Sequence, residues 1–493
     1  MASTPRYSAT AFHSSTSYEL AGGHYGWLPD DGRVLVSSDE TGIFNVYALD
    51  VETGEKSPLT TSTTNSCFVV SAFPGDDRIL FTADHGGDEL NHLFVRESSG
   101  EVRDLTPGEH LKAMFVGWSR DGRYFFAASN ARDPQAFDLY RYRASDYAAE
   151  RVFENNECYA IEAIGDDRYV ALAKVHTNAN TDIYLLDWAA DDPVPRLITP
   201  HDGDIRFAAF CFSADNRHLV LSTNERGEYA EAWRYDIASK ERSPLMQADW
   251  DVVAVRYSRS GRYRVAVINE DARNRVEIVD IKAGNALRLP PLPQGEIMAV
   301  SFSRSEDKVA LLIDADTSPA DVYVVDPGSD SPARRLTTAL NAEIDETDLV
   351  TAEVVRYPGD DGLDVPGVLY RPRDASPIAP CPALVYVHGG PGGQSRCGYN
   401  PTIQHIVNHG YAVFAANNRG SSGYGKTFFH MADRRHGEVD LDDIVAARHY
   451  LASLNWIDGE RVGVIGGSYG GYMVGAALAF RPASLPWASI SSA

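Results

Sequence analysis

The sequence predicts two unlike parts: a seven-bladed β-propeller, then an α/β domain built on a parallel sheet. Two observations carry this reading. A short strand–turn–strand unit recurs seven times in the first two thirds of the chain, each turn closing on a basic residue. After about Leu349 the pattern changes to buried apolar runs alternating with helical segments, and one strand-to-helix junction reads GVIGGSYGG, Gly463 to Gly471.

The repeats begin GWLPDDGRVLVSS, VSAFPGDDRILFTA and FVGWSRDGRYFFAAS, and four later copies follow. Their basic residues are Arg33, Arg78, Arg123, Arg168, Arg217, Arg262 and Lys308, at separations of 45, 45, 45, 49, 45 and 46 residues. Chance does not hold that register. Each unit runs on into a second hairpin, as in FNVYALDVETGEKSPLT at Phe44–Thr60, whose D-x-x-x-G turn suits the alternation around it. Four short strands per repeat is the signature of a propeller blade, which hides its sheet edges by radial packing. The propeller is assigned to 22–345, behind an N-terminal arm, 1–21. The turn Asp, Gly and Arg residues are hairpin chemistry and are not read as ligands. The units resemble the WD40-like repeats of TolB-type and peptidase-associated propellers, without the Trp-Asp and Gly-His pairs of true WD40 repeats. A propeller alone specifies no function.

Composition excludes several classes. Lys and Arg number 45 against 69 Asp and Glu, a formal charge of −24. That argues against nucleic-acid and anionic-membrane partners. The five cysteines are scattered without a CxxC pair, so neither a disulfide framework nor a zinc site is expected. No signal-peptide core and no run of about 18 apolar residues is present, and a cytoplasmic protein is expected. No HExxH or Walker motif occurs, and the glycines around Ser468 do not fit GxGxxG; no cofactor or metal is expected.

In the last segment, 346–493, VVRYPGDDGLDVPGVLYRPRD reads as a hairpin with a DDG turn. ALVYVHGG, YAVFAANNRG and RVGVIGG read as buried strands, and PTIQHIVNHG and LDDIVAARHYLASLNWID as helices. The second helix carries Asp440, Asp442 and Asp443 near its positive end, with Leu441, Ile444, Val445 and Leu451 on one apolar face. GVIGGSYGG therefore has the strand–turn–helix context that a G-x-S-x-G elbow requires. The turn exposes the Ser468 hydroxyl at a helix N-terminus, where dipoles favour developing negative charge. HGGPGG, His388–Gly393, is a Gly-rich turn able to point N–H groups at an oxyanion. NNRGSSGYG, Asn417–Gly425, taken alone is a flexible loop.

Taken together and in this order, the repeats and these three stretches resemble the prolyl oligopeptidase family (S9) of serine peptidases, nearer its acylaminoacyl-peptidase branch because of HGGP. The resemblance covers essentially the whole chain. It implies a propeller joined to an α/β-hydrolase domain, incomplete here, with Ser468 as nucleophile. The N–H of Tyr469 would be one oxyanion donor and the N–H of Gly390 the second. Arg419 would be structural. The substrate would be an oligopeptide cleaved through an acyl-enzyme; homo-oligomerisation is left open.

In such domains the acid and base follow the nucleophile in the chain. Here all 14 histidines precede Ser468, and no His, Asp or Glu comes after it. The triad Asp and His are thus expected to be missing, as in a shortened product of a longer peptidase gene, with activity lost or impaired. His388 is weighed as a substitute base, His430 and His436 are read as surface residues, and Glu225 and Glu228 as candidates for gripping a free amino terminus. A carboxylesterase of the same fold and a non-catalytic propeller are the competing readings. PWASISSA at the end reads as the start of a further buried strand.

Overall fold

The computed structural model describes residues 4–165, 168–482 and 488–490. Seven four-stranded antiparallel sheets follow one another, spanning 18–58, 67–104, 113–153, 160–197, 207–246, 251–286 and 296–335, and are numbered here as blades 1 to 7. Tyr18–Leu20 pairs with Val36–Ser38, so blade 1 begins inside the segment expected to be the arm.

The repeated turns explain the repeated residues. In blades 1, 3, 5, 6 and 7 a residue just ahead of the basic one (Asp31, Gly122, Asn216, Gly261 or Glu306) takes positive φ, which Gly, Asn and Asp accept most readily. Four of the basic side chains fold back onto carboxylates of their own blade: Arg33 on Asp30 at 2.6 Å, Arg78 on Asp76 at 2.9 Å, Arg168 on Asp187 at 2.7 Å and Arg262 on Asp280 at 2.9 Å. These four fasten their blades, in keeping with a structural and not a ligand-binding role for the turn residues.

Each blade is made of four consecutive strands, so side chains close the ring. Trp27 is fully buried between the first and last blades, and its Nε1–H donates to Ser301 O at 3.2 Å. Arg304 of blade 7 donates to Trp27 O of blade 1 at 3.1 Å, to Phe73 O of blade 2 at 2.7 Å, and to Pro74 O. Asp31 accepts in return from the Arg304 and Ser305 amides at 2.6 and 2.9 Å. Apolar side chains of the first blade (Val34, Val36, Leu49) and the last (Ala310, Val322, Val324) share one core across the seam.

The second domain is a six-stranded sheet, in the order Ala352–Pro358, Asp364–Tyr370, Ala412–Ala416, Cys381–Val387, Ile457–Gly466, Ala488–Ile490. The first two strands form the expected hairpin and the last four run parallel. Ala488–Ile490 lies where the expected further strand begins; 483–487 and 491–493 fall outside the described residues. Helices Val439–Ser453 and Tyr469–Phe480 cover one face through Leu441, Ile444, Leu451, Met473 and Val474. Helix Pro401–Asn408 covers the other through Ile403 and Val407, together with Ala272 of the propeller. The arm returns to this domain: Phe12 of helix Ala9–His13 is buried against Ile344 and Leu349, and Tyr7 OH donates to Asp348 at 2.6 Å.

Hairpin tips on one propeller face grip the second domain through polar contacts. Asp316 accepts from the amides of Ala352 and Gly398, each at 2.9 Å, and from Arg273 at 3.0 Å. Arg396 donates to Asn269 at 2.6 Å and Asn274 at 2.7 Å. Asp314 accepts from the Tyr399 amide at 3.1 Å.

Two predictions test this architecture. Arg304→Met leaves several carbonyls at the seam without their charged donor and is expected to cost about 2–4 kcal/mol in chemical denaturation; a cost near zero would show that the shared apolar core closes the ring unaided. The Asp314 carboxyl is pushed up to about 7, mainly by burial and further by Glu296 and Asp316. An unfolded Asp ionises near about 4, so the folded state holds its proton over a window in which the unfolded chain has released it. Stability therefore falls as pH rises from about 4 to about 7. Asp314→Asn, which cannot ionise, is expected to melt with wild type at pH about 4 and several degrees above it at pH about 8. A pH-independent offset in melting temperature would remove Asp314 as the cause.

Candidate active site

Strand Ile457–Gly466 lies parallel to Cys381–Val387, with Gly466 opposite Val387, which brings the turns after both strands together. Ser468 follows the first strand with φ 53° and ψ −124°, and helix Tyr469–Phe480 starts at the next residue. A non-glycine residue in that region stores strain, which persists only where packing over-determines it. Two glycines supply the packing. A Cβ on Gly470 would overlap the Val387 carbonyl, and one on Gly466 would stand 2.6 Å from the Gly470 carbonyl carbon. Ser468 is exposed at the tip.

The HGGPGG turn lies beside it. A Cβ on Gly389 would stand 3.5 Å from Ser468 Cβ and 3.8 Å from its Oγ. Gly390 has φ 144°, and a Cβ there would meet the Gly392 and Gly393 amides at 2.6 and 2.5 Å. The structure thus brings the Gly389–Gly390 turn and the Ser468–Tyr469 junction to one place. Phe429 packs under Gly392, and Asn178, on a hairpin tip of blade 4, reaches to 3.9 Å of its Cβ position. The propeller roofs this loop.

His388 does not face Ser468. Its Nδ1 lies 2.7 Å from Gly389 O and its Nε2 2.8 Å from Ser421 Oγ, so both nitrogens are spent on joining two loops. Burial lowers its pKa. His430 pairs with Asp433 at 2.7 Å. His436 is exposed, as expected, and its ring packs edge-on against Tyr469 at 5.6 Å. Glu225 and Glu228 are also occupied. Glu225 pairs with Arg242 at 3.1 Å, while Glu228 accepts from Thr427 N and Oγ1, each at 2.8 Å, docking the propeller onto helix Lys426–His430.

The NNRGSSGYG loop is rigidly held. Asn417 is fully buried, accepts from Ser395 N at 2.6 Å and donates to Ser395 O and Tyr424 OH, each at 2.9 Å. Arg419 lies bidentate on the fully buried Asp443, with Nη2 at 2.7 Å, and reaches Asp361 of the DDG turn at 2.8 Å. Those hydrogen bonds raise the guanidinium pKa. They also hold the Asp361 carboxyl down at about 2. Tyr469 sends its phenol to Asp440, so burial and that carboxylate push the phenol pKa up. From the sequence, the Asp cluster at the helix start reads only as charge matched to the helix dipole. The i, i+3 spacing of Asp440 and Asp443 puts both on one face of the helix but does not say that this face is buried.

Residues 63–337 match the model of the prolyl oligopeptidase N-terminal β-propeller domain, and 398–485 match the prolyl oligopeptidase family. The chain belongs to the prolyl oligopeptidase family. Within this family it is 25% identical over 427 residues to dipeptidyl aminopeptidase BIII of Pseudoxanthomonas mexicana, covering 82% of this chain and 60% of that protein. It is 22% identical over 431 residues to a prolyl endopeptidase of Elizabethkingia meningoseptica, covering 82% and 58%. The chain spans about three fifths of the length of these relatives. Its fold matches a puromycin-hydrolysing peptidase of Mycobacterium tuberculosis with a TM-score of 0.77 at 18% identity, over 99% of this chain and 79% of that one. A prolyl endopeptidase structure matches with a TM-score of 0.78, over 97% and 73%.

The two Arg419 contacts differ in worth. Arg419→Met strands the Asp443 carboxylate in the interior and is expected to cost about 3–5 kcal/mol. Asp361→Asn, at the exposed end of the same guanidinium, should cost less than about 1 kcal/mol. Urea denaturation of the two variants distinguishes them, and equal costs would refute the assignment.

Proposed function

We propose that this chain carries the nucleophilic half of a serine peptidase acting on oligopeptides, with Ser468 forming the acyl-enzyme. The observation behind it is the exposed, positive-φ Ser468 held against the Gly389–Gly390 turn. In this reading the Tyr469 N–H and the Gly390 N–H receive the oxyanion, and the propeller admits short peptides to the roofed site. The names of the relatives, aminopeptidases and endopeptidases, support peptide substrates. Free cysteines at all five positions fit a cytoplasmic setting.

Proton transfer is the weak step. Among the described residues no hydrogen bond joins a histidine to Ser468, and His388 is committed elsewhere. A serine hydroxyl without a base stays protonated, leaving oxyanion stabilisation and binding to act alone. A fluorophosphonate probe is therefore expected to modify Ser468 slowly, roughly 10³-fold or more below a complete triad, yet above a Ser468→Ala control. Peptide and ester substrates offered together test the substrate class. Labelling indistinguishable from Ser468→Ala would favour a non-catalytic propeller protein, and turnover of esters alone a carboxylesterase.

A further inference from the structure

We infer that Asp440 is a positioning residue for the Ser468 elbow and acts through the Tyr469 phenol. The inference rests on the reading of Ser468 as nucleophile.

Asp440 stands in the first turn of helix Val439–Ser453 and is 1% exposed. The N-cap residue, Glu438, makes no side-chain cap, so Asp440 serves the helix start: its Oδ1 accepts from Gly437 N at 2.7 Å and Leu441 N at 2.9 Å. Its Oδ2 accepts from Tyr469 OH, with His436 Nδ1 at 3.6 Å. Both oxygens are thus committed, one to each helix start, and the carboxylate joins the two.

Tyr469 is the first residue of the elbow helix, and its N–H is among the donors such a helix leaves free. The ring is rigid, with two side-chain torsions, and it is fastened at both ends. At the backbone end, the close approach of Gly470 to Val387 O fixes the first turn. At the far end, Asp440 holds the phenol. Tyr472 packs at 5.3 Å, with its OH donating to His436 O at 3.2 Å, so a second ring braces the first. A peptide plane between two such anchors cannot swing its N–H away from the site. Releasing the phenol lets the strained Ser468 backbone relax and turns the donor with it.

The test uses the full 493-residue chain. Tyr469→Phe removes only the oxygen at the far end of the ring. It is expected to lower the fluorophosphonate rate constant at Ser468 about tenfold, with little change in melting temperature. Amide exchange should quicken in peptides covering 463–474 and stay unchanged in the propeller. Asp440→Ala should match it, Asp440→Asn, still an acceptor, should restore most of the rate, and Tyr469→Phe with Asp440→Ala should be no slower than either alone. Wild-type rates and exchange in Tyr469→Phe overturn the inference, as does a fall explained by lost folded protein. If the unaltered chain labels no faster than Ser468→Ala, the nucleophile reading fails. The exchange arm then decides Asp440 alone: local protection lost supports it, and protection kept overturns it.

Discussion

The contact between Gly470 and the Val387 carbonyl is the constraint on which the site depends. There is no room for a side chain between the start of the elbow helix and the end of the neighbouring strand. Two parallel strands side by side would leave their following turns some distance apart, since each turn needs space for its own side chains. Removing the Cβ at Gly466 and Gly470 lets the helix sink onto the strand ends. Ser468 is then driven into positive φ and out into solvent, and the Gly389 turn comes to rest against its Cβ. Strain at the serine is compensated by packing around it, the usual condition for a residue in that region to persist.

That packing has to be held from below, and buried carboxylates hold it. Asp443 fixes the NNRGSSGYG loop through Arg419, while Asp440 fixes the elbow through Tyr469. They sit three residues apart on one helix, so a single rigid element registers the two loops against each other. His388 completes the frame by joining the HGGPGG turn to Ser421 of the same loop. A buried charge is costly unless every lone pair is met. Asp440 and Asp443 each meet that demand with three or more donors, which makes the frame specific as well as stable.

What the sequence revealed follows from how local each signal is. The seven turns were legible because a hairpin needs its Asp, Gly and Arg within a few residues, and the interval between blades repeats them. The strand–elbow–helix run was legible for the same reason. Contacts between distant segments were not. Glu228 looked available for a substrate amine and instead docks on Thr427, 199 residues away. His388 looked close enough to serve as a base, yet its nitrogens point to Gly389 and Ser421. The start of blade 1 was misjudged because Tyr18–Leu20 is a three-residue strand without its own turn signal. Asp440 and Asp443 showed only as charges at a helix start, since nothing local says that a carboxylate faces inward.

Geometry and proton transfer are separable demands on a serine nucleophile. Most of what shapes the elbow, from the strand at Cys381–Val387 to the carboxylates of helix Val439–Ser453, lies upstream of Ser468 in the sequence, and Tyr469 and Gly470 directly follow it. The serine is therefore aimed and exposed by backbone packing around it. Oxyanion donors act on charge as it develops and need no titratable partner, whereas removing the hydroxyl proton needs a general base at hydrogen-bond distance. The first contribution is written into backbone packing that the fold requires anyway. The second depends on a side chain delivered to the same point, and His388, the imidazole adjoining that point in the sequence, is held in the scaffold instead.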